Sequence, residues 1–393
     1  MRGRITIPFA FMAVMLFFIS IPAHAENGVT DDQILVGMST ALSGPASFLG
    51  TSFKTGTETY LNMINEKGGV NGRKIKLIVY DDGYDPGKSV PNVNKLIKED
   101  KVFSLIGNVG TPTTMAIKPI ITEEKVPLFA PFTGAETLRN PVVKYILNYR
   151  ASYNQEVEEF IRGVVDVLGY KRVGVFYQND SYGNVVLKGT RIALGKRGID
   201  PVITANYQRN TEDISDALNT ILKEKPEVVV MVGTYSACAK FIIEGKKKGF
   251  NPVYMNVSFV GPDKLAEMLG KYGENVVVTQ VVPPFDNAKY NYAAVQEYMT
   301  SLRKYFPDSK PSFGGLEGFL AAKVFVEGIK RAGKNLTRES FVSAVEDIKD
   351  LDIKAGNKIS FSAQNHQGSQ KVYPTVIKGE KYVLVEDWKI LSR

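Results

Sequence analysis

Cysteine and histidine are almost absent: the 393 residues include one cysteine, Cys238, and two histidines, His24 and His366. A lone cysteine forms no internal disulfide, and a transition-metal site built from thiolates and imidazoles has no ligand set to draw on. Nucleophilic catalysis of the Ser-His kind would rest on His366 alone, beside Gly368 in a polar loop. The G-x-S-x-G elbow and the phosphate-cradling G-x-x-x-x-G-K-S/T pattern are missing as well. An enzyme is not expected, and neither a metal nor a cofactor is called for. Beyond residue 25 no run is long and apolar enough to span a bilayer.

The first 25 residues differ from the rest. Arg2 and Arg4 precede an apolar run from Ile5 to Ile21, and Ala23-His24-Ala25 gives a small-x-small cleavage pattern. This reads as a secretory signal peptide cut after Ala25, since Pro8 and Pro22 shorten the run below what a membrane anchor needs. Cys238 is too far away to accept a lipid there. The expected product is a free, periplasmic, monomeric protein of about 368 residues, without stable membrane insertion.

Loss of Arg2 and Arg4 leaves 47 basic and 41 acidic residues, a formal charge of +6. The lysines are scattered, and the densest run, Lys246-Lys247-Lys248, reads as a solvated helix end, so nucleic acid is not an expected partner. An apolar fraction of 44% with 23% charged residues suits ordinary cores, and the length suits two domains. Asp81, Asp82 and Asp85 cluster, but they follow a strand end directly and are not held apart across a cleft. Structural roles are expected, with Asp85 capping a helix that begins at Pro86.

What is present is a regular alternation. Strand-like runs "ILVGMST" (34–40), "KIKLIVYDD" (74–82), "VFSLIG" and "VPLFAP" (126–131) are separated by helical patterns over 50–66, 86–99 and 111–123. After "YILNYRASY" the pattern restarts: helix 154–168, strand 172–178, helix 182–197, a short strand near Val202, helix 211–224, strand 228–233, helix 235–248, and strands near 253–256 and 276–282. Helices over 316–331 and 337–348 follow, then a hairpin around "KGEK". Repeated βα units imply an α/β fold with two doubly wound, parallel lobes. The closing hairpin continues neither series, so at least one lobe is discontinuous.

Ligands of open parallel sheets sit beyond the carboxyl ends of the strands. "GNVGTPTT" (107–114) lies at such an end, with Thr111 suited to N-cap and Pro112 to the first helical position. Its amides and hydroxyls offer a place for a carboxylate, although the same residues also serve a helix start with no further role. The loop "FAPFTGAETL" (129–138) repeats the arrangement with Thr133 and Gly134 ahead of a helix. Two neighbouring strand ends of this kind make a two-sided grip on one small anion.

The opening stretch carries Ser43-Gly44-Pro45, Gly50, Gly56, "INEKGGVNG" (64–72), Asp81-Asp82 and Asp85-Pro86, and later come "NDSYG" (179–183) and "EGFLAAKVF" (317–325). In these elements the chain resembles the periplasmic solute-binding proteins of branched-chain amino acid ABC transporters, over essentially its whole mature length. The resemblance implies two Rossmann-like lobes joined by a three-strand hinge, residues 26–148 with about 283–356 and residues 149–282 with about 357–393. It implies closure on a small ligand and a membrane permease as partner. By similarity Gly110, Thr111, Thr133 and Gly134 hold an α-carboxylate, and Thr234 falls where the family usually offers a tyrosine from the second lobe, with Tyr235 next to it. The acid that neutralises an α-ammonium in the family falls near Ser258, so here the sequence departs from the pattern. Glu317 or Asp263 are the substitutes from other loops. Phe48, Phe132, Tyr153, Tyr182 and Tyr235 are expected to face the cleft. A branched-chain or other hydrophobic amino acid is therefore the first expectation, an aromatic or aliphatic acid without an amine the second. A sensor subunit serving a signalling partner is a reading of another class.

Overall fold

The computed structural model describes residues 26–285, 289 and 291–391, so the signal-peptide reading of residues 1–25 lies outside the described residues. Short apolar runs and amphipathic stretches alternate to build the first sheet from β1 (Gln33–Thr40), β2 (Lys74–Asp81), β3 (Ser104–Ile106), β4 (Leu128–Phe129) and β5 (Ile146–Leu147). Helices α1 (Ser47–Glu66), α2 (Pro86–Lys98) and α3 (Thr111–Glu123) connect them. The order is β2-β1-β3-β4-β5, parallel throughout. The order reverses beside β1, which places a crevice beyond the ends of β1 and β3.

The chain continues through α4 (Tyr153–Ile161), β6 (Val173–Gln178), α5 (Ser181–Gly195), β7 (Ile203–Tyr207), α6 (Ser215–Glu224), β8 (Val228–Val232), α7 (Tyr235–Lys247), β9 (Val253–Asn256), α8 (Pro262–Leu269) and β10 (Val276–Gln280). It returns to the first lobe with α9 (Ala293–Tyr305), α10 (Phe313–Ala332), α11 (Arg338–Glu346) and the small pair β11 (Leu351–Asp352) and β12 (Lys358–Ile359). Strands β13 (Tyr373–Lys378) and β14 (Lys381–Leu384) are the hairpin around "KGEK", and they join the second sheet antiparallel beside β10. That sheet runs β14-β13-β10-β9-β8-β6-β7, with its reversal beside β6. The two lobes thus turn their switch points, and the loops they carry, toward each other.

Strand β8 is buried along its whole length, as a strand covered on both faces by helices must be. Asp85 caps α2 through the Gly87 amide, with Pro86 at the first helical position. Asp81 accepts from the amides of Leu42, Ser43 and Gly83, and Asp82 from Tyr84 and the hydroxyls of Ser39 and Ser89. The acidic cluster therefore ties loops to the sheet. One helix differs from expectation: the stretch read as 154–168 is α-helical only to Ile161 and widens into a π-turn over Arg162–Val167. An added Cβ at Gly163 would stand 2.1 Å from the Trp388 ring, so the glycine admits that ring where the helix widens.

Helices α1 and α10 cross at glycines. A Cβ at Gly56 would lie 1.8 Å from the Gly315 carbonyl oxygen, and one at Gly318 would lie 2.2 Å from that of Phe53. Backbone against backbone cannot yield as a side chain can. Gly56→Ala is expected to cost about 3 kcal/mol, the upper end of overpacking, read as a lower urea midpoint. A midpoint within error of the parent would mean that the crossing is looser than this geometry.

Candidate ligand-binding site

The loop after β3 meets the loop after β4. Gly110 has φ of 99°, and a Cβ there would fall 2.1 Å from the Tyr84 ring, so glycine is required. α3 spans Thr111–Glu123 as expected, but this backbone makes Gly110 the N-cap in place of Thr111, with Pro112 second in the helix and no side-chain cap. Freed from capping, the Thr111 hydroxyl lies 2.7 Å from that of Thr133, both fully buried. The helix expected after Thr133-Gly134 is a single 3-10 turn, Glu136–Leu138. Gly134 is packed under Tyr153: its carbonyl accepts from the Tyr153 amide at 2.7 Å, and a Cβ would strike the ring.

The second lobe supplies aromatic rings. Tyr153 and Tyr182 have centroids 5.4 Å apart, and Phe259 sits 4.6 Å from Tyr182 and 5.8 Å from both Phe132 and Tyr84. Phe259 is the hub of this cluster, and sequence reasoning did not single it out; its place directly after Ser258, in a loop feeding α8, was the available signal. Thr234 caps α7 without a side-chain bond, and its amide donates to the Tyr207 hydroxyl. Tyr235 reaches the other lobe, where its hydroxyl accepts from the Phe48 amide and its ring lies 6.1 Å from that of Phe48. Gln178 donates to the Tyr84 hydroxyl at 3.0 Å, Asn210 to the Gly83 carbonyl, and the Phe313 amide to Asp263. The lobes are closed upon one another.

Ser258, where the carboxylate of the pattern is missing, has a carboxylate beside it. Its amide and hydroxyl both donate to Glu156 of α4, at 2.7 and 2.9 Å, and the Thr279 hydroxyl adds a third bond. Arg150 stands 3.5 Å from Glu156 and 3.6 Å from Glu317, with its guanidinium 5.0 Å from the centre of the Phe132 ring. Arg139 donates to the carbonyls of Ala135, Thr133 and Arg150. Of these four charged groups only Glu317 was placed in the site from sequence; Arg139, Arg150 and Glu156 lie within one short stretch, but their partners Ser258, Thr279 and Glu317 are more than 100 residues away.

Burial dominates their titration. It pushes the Glu156 carboxyl up against the pull of Arg150 and its donors, and it pushes Glu317 up to about 7, again opposed by Arg150. Burial lowers Arg139 to about 10, with Arg150 adding repulsion. Burial also works against the Arg150 charge, but Glu317 and Glu156 more than offset it and raise its pKa. The Tyr153 phenol rises to about 12 through burial, while Arg150, the Thr133 hydroxyl and the Gly134 amide pull it down. Because Glu317 titrates above its ordinary 4.5 in the folded chain, folding favours its neutral form. That contribution is present below pH 4.5 and is lost as pH rises from 4.5 toward 7. Glu317→Gln should flatten this part of a stability profile measured by urea midpoints; an unchanged slope would remove Glu317 as its source.

The hydroxyls of Tyr182 and Ser236 and the Arg150 Nη1 are buried without a hydrogen-bond partner, a state that costs about 1–3 kcal/mol for each group. The corner of Thr111, Thr133, Gly134 and Tyr153 is rich in donors and suits an anion. An inner cavity of about 10 Å³ is lined by Phe48, Phe132, Ser258, Gln280 and Glu317 among others, and by none of these four corner residues. It holds a single water at most. Among the described residues no cluster of three or more metal-ligating side chains occurs, and no helix is long and apolar enough to cross a membrane.

A family model described as periplasmic binding protein matches residues 33–381. The chain is 36% identical to a possible leucine/isoleucine/valine-binding protein from Rhodopirellula baltica, whose crystal structure superposes with a TM-score of 0.88 over 92% of this chain and 98% of that one. It is 23% identical over 355 residues to the Leu/Ile/Val-binding protein homolog 7 of Brucella melitensis, covering 86% of each chain. The structure of a branched-chain amino acid ABC transporter protein from Thermus thermophilus, solved with valine bound, shares the fold at a TM-score of 0.82 and 20% identity. Such relatives are solute-binding proteins and not enzymes, and their family is periplasmic. Matched along nearly its whole described length, the chain belongs to the periplasmic binding proteins of type I, in the branched-chain amino acid family.

Proposed function

We propose that the protein is the substrate-binding component of an ABC importer, exported by cleavage after Ala25, and that it closes as a clamp on a small carboxylate with an apolar side chain. The observation that carries this reading is the meeting of the Thr111 and Thr133 hydroxyls at 2.7 Å in a buried corner rich in donors. A carboxylate replacing their mutual bond would accept from both. Gly110 and Gly134 let the backbone approach, Phe132, Tyr153 and Tyr182 wall the site, and Thr234, Tyr235, Ser258 and Phe48 complete it on closure. Contacts from both lobes exist only in the closed form, so ligand shifts the population toward it. The inner cavity of about 10 Å³ admits no amino acid, so in this reading the lobes part for entry and close less far around a ligand than they do here.

The mobile units in this reading are two lobes like those expected from the sequence, but with the last crossover placed at residues 367–371 and not near residue 356. Phe361 packs on Phe129 of the first sheet, and His366 bonds carbonyls of Val143 and Ile146, which supports keeping that strap with the first lobe. The His366 carbonyl accepts from the Asn148 amide, so two of the crossovers run side by side.

For the ligand, Glu317 is the acid able to face an ammonium, which favours a branched-chain or other hydrophobic amino acid. A second reading, an aromatic or aliphatic acid without an amine, is favoured by Glu156, whose oxygens already accept from Ser258 and Thr279 and lie by Arg150. A thermal-shift screen of refolded protein against both classes tests the proposal, since a saturating ligand raises stability by RT ln(1 + [L]/Kd). The pH dependence separates the readings. An ammonium needs ionised Glu317, so amino-acid affinity should rise between pH 6 and 8, whereas a lone carboxylate prefers neutral Glu317 and should bind more weakly over that window. Silence from every carboxylate in the screen would refute the proposal.

A further inference from the structure

The open volume of this protein lies outside its closed core. A cleft of about 680 Å³ opens between α1, α9 and the start of α10 on one lobe and α8 with the β13–β14 hairpin on the other. Phe48, Phe285, Tyr298, Met299, Phe313 and Tyr382 form its apolar wall. Phe313 orders that wall, with Phe285 at 4.9 Å and Tyr382 at 5.6 Å between ring centres. Charged side chains, Lys310, Lys381, Glu267 and Glu380, also line it. Phe48, Ser52 and Phe313 line both this cleft and the inner cavity, so the cleft abuts the cavity that Phe132, Ser258 and Glu317 line on its far side.

We infer that this cleft is the tail subsite of the ligand: the protein takes a carboxylate whose apolar chain is longer than that of a branched-chain amino acid, with its head held inside and its tail along Phe48 and Phe313. The inference rests on the carboxylate reading and narrows its ligand class. A leucine-sized molecule, enclosed in the core, would leave the aromatic wall of the cleft facing water. A cleft of about 680 Å³ with an aromatic wall has the size of sites that take a drug-sized ligand. A chain reaching it gains up to about fourfold in affinity for each methylene it buries.

The test is calorimetric titration of the refolded full-length mature protein with leucine, pentanoate, octanoate and dodecanoate, the last below its micelle concentration. Affinity is expected to rise at least tenfold from pentanoate to dodecanoate. Ala266→Phe and Thr55→Leu, which narrow the cleft from opposite lobes, should abolish that rise and leave pentanoate within twofold of the parent. Both variants are first checked for an unchanged melting temperature. Equal affinity at all chain lengths, or a length dependence that survives both substitutions, would overturn the tail subsite. If leucine or pentanoate binds and length adds nothing, the subsite alone fails; if no probe here and no aromatic carboxylate in the thermal-shift screen binds, the carboxylate reading fails with it.

Discussion

Replacing Arg150 by methionine should destabilise the protein by about 3–5 kcal/mol, the cost of leaving buried charges without their partner. Arg150 is among the largest fully buried side chains and stands between Glu156 and Glu317, which are also buried. With the guanidinium gone, Glu156 keeps its donors from Ser258 and Thr279, while Glu317 loses the cation that opposes its protonation. Glu317 is then expected to be neutral at pH 7, so part of the penalty appears as proton uptake on folding. Urea midpoints at pH 5 and pH 8 check this: the deficit should be larger at pH 8. Adding Glu317→Gln to Arg150→Met should recover part of the loss, since contacting residues are not additive. A single variant with the parent's midpoint would show that the ion cluster is not held in the buried form described.

The double variant Thr111→Ala, Thr133→Ala should weaken ligand binding by about 2–4 kcal/mol, if each hydroxyl donates to a charged oxygen. In Kd this is between about thirtyfold and a thousandfold. The pair is chosen because the two hydroxyls bond each other in the structure, so removing both leaves neither orphaned. Stability without ligand should therefore change far less than affinity, and either single variant should cost more stability than its share of the double. The measurement is titration with whichever carboxylate gives the largest thermal shift. Unchanged affinity in the double variant would remove this corner from the ligand site.

Much of the architecture was legible because burial on both faces leaves a mark in the chain. Runs such as Val228–Val232 read as strands without any tertiary knowledge, and Asp85 before Pro86 marks a helix start that forms as expected. The errors are of shorter range. Thr111 moved from cap to first turn because Gly110 adopts a backbone that no local pattern announces. The helix at 154–168 changed type because a ring from Trp388 needed space at Gly163. The site itself was legible only in part. Each threonine could be placed at a strand end, but the carboxylate at Ser258 comes from Glu156, 102 residues earlier, and Phe259 gains its meaning only when Tyr84 and Tyr182 surround it. Contacts of this kind depend on how two lobes face each other, which one sequence does not encode position by position.

Trp388 is the single tryptophan of the chain, buried against Gly163 in the π-turn and away from the aromatic cluster of the cleft. Its emission therefore watches the docking of the C-terminal segment onto the second lobe. The rings that closure brings together are tyrosine and phenylalanine, so optical titrations of this protein must be read at tyrosine wavelengths, and an unchanged tryptophan signal is compatible with a fully occupied site.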